Sequence, residues 1–132
     1  MDNHSEYLLD GVHPDLVRVI REASQSPQAF EVVQGLRSLE DEAKAVKSGH
    51  STMMHSRHLP HQGDGLSRAV DVAALIDGKI SWAPGREEEV YGQIWKQISE
   101  SADKLKIAVT WGGSWKTFKD WGHIELSWKV YS

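Results

Sequence analysis

The sequence predicts an α+β domain in which a mostly antiparallel sheet is flanked by helices. Three observations point there. A long amphipathic pattern occupies 86–106, β-rich runs stand on both sides of it, and the late strands are joined by short connections.

Taken in order, residues 13–26 read as a first helix, with Pro14 suited to a first helical position and Leu16, Ile20 and Ala23 at helical spacing. FEVVQ at 30–34 is a short strand. Ser38 followed by Asp41 resembles a capping box that opens a helix over 39–48, with Leu39, Ala43 and Val46 on one side and Gly49 as its stop. From 49 to 68 the pattern dissolves into His, Ser, Gly and Pro, a loop long enough to suggest function. AVDVAALI at 69–76 is a strand, Asp77-Gly78-Lys79 a tight turn, and ISW at 80–82 the returning strand.

The helix at 86–106 places Glu87, Glu88 and Glu89 at the positive end of its dipole and Lys104 and Lys106 at the negative end. Val90, Ile94, Ile98, Ala102 and Leu105 form its apolar stripe. IAVTW at 107–111 and HIELSW at 123–128 follow as strands around the loop GGSWKTFKDWG. With no repeat and no dividing linker, residues 1–132 read as a single domain.

Composition narrows the chemistry. The chain is 39% hydrophobic and 26% charged, enough for a core inside a soluble globule. A net charge of −4 argues against nucleic acid as the main partner, because phosphate neutralisation needs a basic face. No stretch approaches the roughly 20 apolar residues of a membrane span. The start, MDNHSEYLLDG, has neither the basic residues nor the apolar run of a signal peptide, so synthesis in the cytosol without an export address is expected. The absence of cysteine excludes disulfides and thiolate metal sites, so any transition-metal site must be built from imidazole and carboxylate. Of seven histidines, His50, His55, His58 and His61 fall within twelve residues and His123 stands alone near the end.

His58 closes the motif Ser56-Arg57-His58, Asp71 follows thirteen positions later, and His123 ends Asp120-Trp121-Gly122-His123. A catalytic zinc takes three protein ligands, commonly imidazole nitrogens and a carboxylate oxygen, and keeps its fourth position open. His58 at the loop exit, Asp71 in a strand and His123 at the head of another can converge if those strands are adjacent; spacing permits this without requiring it. Asp120 can serve as a general base across the Trp-Gly turn, or bond its own backbone as turn aspartates do. Glu125 points to the same strand face as His123, where it can orient a ligand or replace Asp120 as base. His55 and His61 can ligate only if the loop turns suitably, and His4, His13 and His50 read as surface residues. Trp111, Trp115, Trp121 and Trp128 surround the motif, as core or as cleft wall.

These motifs resemble the zinc D-alanyl-D-alanine carboxypeptidase and L-alanyl-D-glutamate peptidase group. That group includes VanY-like enzymes and small phage endolysins, and shares its fold with the Hedgehog N-terminal domain. The resemblance rests on Ser56-Arg57-His58, Ala69-Val70-Asp71 and Asp120-Trp121-Gly122-His123. Gly35-Leu36-Arg37 after the first strand and Trp111-Gly112-Gly113 ahead of the last motif add to it, all in the expected order over residues 30 to 126. Ser114 departs from it, standing where many relatives have Asp.

The resemblance implies zinc held by His58, Asp71 and His123, with Asp120 as general base. Arg37 would support the oxyanion or anchor a substrate carboxylate, unless it pairs with the acidic segment that follows it. Ser56 and Trp121 are expected to contact substrate. The implied substrate is bacterial cell-wall peptidoglycan, cut at L-alanyl-D-glutamate by a monomeric phage endolysin that waits in the host cytoplasm for a holin. The alternatives are a D-alanyl-D-alanine carboxypeptidase and a zinc-stabilised binding module without catalysis.

Overall fold

A computed structural model of the chain describes residues 3–25, 27–36, 57–59, 61, 63–115 and 119–131. Among the described residues, three helices, α1 (Asn3–Leu9), α2 (Pro14–Ala23) and α3 (Glu87–Leu105), accompany five strands: β1 (Phe30–Gln34), β2 (Ala69–Ile76), β3 (Lys79–Ser81), β4 (Val109–Trp111) and β5 (His123–Leu126). A 3-10 turn, Gly112–Ser114, follows β4. The sheet runs β1-β2-β5-β4 with β3 also on β2, and every strand pair is antiparallel, as the short late connections predict.

β2 organises the sheet. Ala74 pairs with both Phe30 and Ser81, and Asp71 pairs with both Gln34 and His123. β1 therefore covers one edge of β2, while β5 and β3 share the other, β5 along the first half and β3 along the second. Between them the Val72 N–H donates to the Gly122 carbonyl at 2.9 Å, which ties the turn before β5 to the middle of β2.

The helices form for reasons visible in their residues. Pro14 opens α2, and the His13 ring nitrogen Nδ1 caps it by accepting the Asp15 N–H at 3.1 Å. Leu16, Val19, Ile20 and Ala23 make its fully buried stripe. In α3 the acidic first turn is solvated while Val90, Tyr91, Ile94, Ile98 and Ala102 enter the core, each larger side chain contributing about 1.5–3 kcal/mol by leaving water. Lys106, at φ 60°, turns the chain left-handed and ends α3, and Ile107 drops back into the core before β4 begins.

The structure trims the expected strands 107–111 and 123–128 to three and four residues and shifts the expected 80–82 to Lys79–Ser81, which leaves Trp128 and Trp82 outside the strands, both largely exposed. α1 has no counterpart in the sequence reading. It is short and polar at its start, and tertiary contacts fix it: the Ser5 hydroxyl accepts the Val32 N–H at 2.9 Å, and Glu6 pairs with Arg21 at 2.6 Å. The expected helix 39–48 lies outside the described residues.

Candidate metal centre and active site

The pairing of Asp71 with His123 across β2 and β5 is the origin of the site. Directly opposed residues of an antiparallel pair carry their side chains on one face, a few ångströms apart. His58, at the exit of the preceding loop, completes the group. Its Nε2 lies 3.2 Å from Asp71 Oδ1, and His123 Nδ1 lies 3.1 Å from the same oxygen. One ligand atom from each of the three residues lies within 4.8 Å of the others. Both imidazoles are buried and Asp71 is half-buried.

The outward nitrogens of the two rings are fixed. His58 Nδ1 donates to the Gly35 carbonyl at 2.8 Å, and His123 Nε2 donates to Glu125 Oε1 at 2.9 Å. Each ring thus turns its other nitrogen toward Asp71, the arrangement that prepares a histidine as a ligand. Without an ion, His123 Nδ1 carries a proton toward the Asp71 carboxylate. Burial disfavours that charged ring, but the hydrogen bonds to Asp71 and Glu125 prevail and push its pKa up to about 10. Burial likewise acts to raise the Asp71 carboxyl, and the two histidines overcome it, holding it well below the usual carboxylate range. Two nitrogens and one carboxylate oxygen, convergent and supported from behind, fit a divalent cation of the zinc class.

Asp120 stands at the edge of this group. Its N–H donates to the Gly112 carbonyl at 3.1 Å, its own carbonyl accepts the His123 N–H at 3.2 Å, and its charge favours the protonated His123 ring. Gly112 is needed there, since a Cβ at that position would meet Asp120 and His123. With Asp71, Asp120 lines a cleft of about 390 Å³ whose walls include Trp82, Lys119 and Trp121.

Glu125 is nearly inaccessible and lies on the far side of the His123 ring from Asp71. Of its two sequence-level roles, orienting a ligand is the one this placement allows. Arg57 stands 4.0 Å behind it, packs over the Trp128 ring at 3.7 Å, and donates to the carbonyls of Leu126 and Tyr131. This arginine, inside the Ser56-Arg57-His58 motif, escaped the sequence reading because nothing in its spacing announces a buried guanidinium. The Gly35 carbonyl escaped it too, although Gly35 belongs to a quoted motif: a Cβ there would collide with the Leu8 carbonyl.

His61 bonds within its own loop, where Nδ1 accepts the Gly63 N–H at 2.9 Å, and it does not join the cluster. His13 caps α2 and packs against Tyr131, so it is more than a surface residue. Trp121 lies between core and cleft, with its carbonyl bonded by Trp111 Nε1 at 2.7 Å, and Trp115 packs on the His123 ring at 5.1 Å. Arg37, Ser56, His50 and His55 lie outside the described residues.

Residues 1–127 match the family described as phage L-alanyl-D-glutamate peptidase. The L-alanyl-D-glutamate peptidase of Escherichia phage T5 is 30% identical over 136 residues, covering 93% of this chain and 94% of that protein. The peptidoglycan L-alanyl-D-glutamate endopeptidase CwlK of Bacillus subtilis is 28% identical over 100 residues, covering 72% of this chain and 59% of its own. The crystal structure of the Serratia marcescens L-Ala D-Glu endopeptidase ChiX is similar with a TM-score of 0.84 and 41% identity, over 99% of this chain and 92% of that one. Because the match spans the strands that carry Asp71 and His123 as well as the loop that carries His58, the chain belongs to the phage L-alanyl-D-glutamate peptidase family.

Proposed function

We propose that this chain is a zinc-dependent endopeptidase that hydrolyses the L-alanyl-D-glutamate bond of peptidoglycan stem peptides. The observation that carries the reading is the convergence of His58, Asp71 and His123 beside a cleft that Asp120 also lines. The chemistry a zinc ion supplies at such a site is Lewis acidity, toward the scissile carbonyl and toward an attacking water whose pKa falls to about 7. With the metal in place, Asp120 would accept a proton from the attacking water and deliver it to the leaving amine. Arg37 supports the negative charge that gathers on the carbonyl oxygen, Trp121 forms a wall against the stem peptide, and Ser56 contacts it. Glu125 holds His123 in the tautomer that presents Nδ1.

The names of the relatives favour the endopeptidase over a D-alanyl-D-alanine carboxypeptidase. The acidic group beside the cluster favours an enzyme over a silent binding module. Similarity to a phage enzyme supports the role of an endolysin that works as a monomer and reaches the wall from the host cytoplasm through a holin-type opening. Among the described residues no helix is long and apolar enough to cross a membrane.

The test is a digest of purified peptidoglycan read by mass spectrometry. Fragments that begin with D-glutamate are expected. Loss of a terminal D-alanine alone would identify the carboxypeptidase instead.

A further inference from the structure

An L-alanyl-D-glutamyl substrate poses an electrostatic problem for this cleft. A glutamyl residue has two carboxyl groups, and the one that does not carry the rest of the stem peptide stays ionised a few bonds from the scissile amide. Beside the metal ligand Asp71, whose charge the cation meets, the cleft is lined by two further carboxylates, Glu87 and Asp120. Bringing the substrate carboxylate in beside those two is unfavourable unless a cation other than the metal meets it.

Lys119 is the one basic residue among the described residues that line the cleft. Arg86, which lines the neighbouring cavity with Glu87 and Trp121, is committed to Glu89 at 3.3 Å. Lys119 has no carboxylate within ion-pair distance among the described residues. Its position is nevertheless defined. Nζ donates to the Gly113 carbonyl at 3.0 Å and sits 5.6 Å from the centroid of the Trp121 ring. An ammonium group has three donors, so two remain for a ligand. Lys119 also precedes Asp120 in the chain, which keeps the cation beside the group assigned to move the proton.

We propose that Lys119 binds the free carboxylate of the D-glutamyl residue and makes the enzyme selective for stem peptides in which that carboxyl is ionised over those in which it is a primary amide. The proposal rests on the assignment of the bond as L-alanyl-D-glutamate. Lys119 is a specificity-determining residue here, not a proton donor, and no bond to it forms or breaks.

The experiment uses the zinc-loaded protein and two synthetic stem peptides that differ only in whether the glutamyl residue carries the free acid or its amide. Wild-type protein is expected to favour the acid by about tenfold in kcat/KM, the size of one charge-assisted contact in a partly solvated cleft. Lys119→Met is expected to bring the ratio close to one, chiefly by raising KM for the acid, and Lys119→Arg to retain a preference. Metal content and thermal unfolding of each variant establish that the fold is kept, and Lys119→Gln serves if the methionine variant does not fold. A ratio unchanged by loss of the ammonium group overturns the proposal while leaving the bond assignment intact. So does an equal loss on both peptides, which would mean that Lys119 acts through Asp120. Wild-type protein that cuts neither peptide at this bond overturns the assignment and the proposal together.

Discussion

Each imidazole of the cluster has one nitrogen bonded to an oxygen behind it and the other turned toward Asp71, and this division governs what single substitutions do. Asp120→Asn is expected to keep the metal and the fold while kcat falls by about 10²–10⁴-fold, the usual contribution of a positioned general base. Metal analysis beside steady-state kinetics checks both halves. Glu125→Ala removes the acceptor that fixes the His123 ring, and metal affinity is expected to fall by about 10–100-fold, measured by competition with a chromogenic chelator. The charges also set a pH dependence for the metal-free protein. His123 is raised in the fold to about 10 from 6.5, so the stability it contributes is complete below about 6.5 and is lost as pH rises toward 10. Asp71 is lowered, so its contribution is present above about 3.9 and is lost on acidification. Thermal unfolding of the metal-free protein is therefore expected to be most resistant between about pH 4 and 6.5. Metal affinity runs the other way, rising with pH, because the proton on His123 Nδ1 must leave before a cation binds.

At the scale of elements, the register of β2 against β5 does the positioning. Gly112→Ala is expected to displace the turn that carries Asp120 and to lower activity far more than stability, which kinetics and thermal unfolding together would separate. Ile98→Ala, in the buried stripe of α3, is expected to do the reverse, costing about 2–5 kcal/mol in denaturant unfolding with metal affinity retained. The same contrast explains what was legible in the sequence. α3 and β2 were readable because their apolar periodicity is long and unbroken, and the limits of β2 agree with the sequence reading. The three candidate ligands were named from their motifs, but the register that opposes Asp71 to His123 was not, since strand pairing is a long-range property that spacing does not encode. α1 and the Arg57–Glu125 pair were hidden because tertiary packing alone defines them. Arg57 has no periodic partner, and its guanidinium meets Glu125 and the Leu126 carbonyl only once β5 has paired with β2.

For the whole molecule, the sheet with α2 and α3 encloses one apolar cluster, and Asp71 and His123, two of the three residues proposed to hold the metal, stand on β2 and β5, whose other positions enter that core. Local geometry at the site is thus tied to the integrity of the fold. A ligand that binds only the folded state stabilises it by mass action, so removal of zinc is expected to lower the unfolding temperature as well as abolish activity. The central claim is that His58, Asp71 and His123 hold the zinc on which cleavage depends. The most direct measurement titrates metal-free protein with zinc while bound metal and cleavage of an L-alanyl-D-glutamyl peptide are followed together. The two are expected to rise in parallel and saturate at about one zinc per chain, with Asp71→Ala showing neither. Cleavage by the metal-free protein, or full activity in Asp71→Ala, would contradict the account.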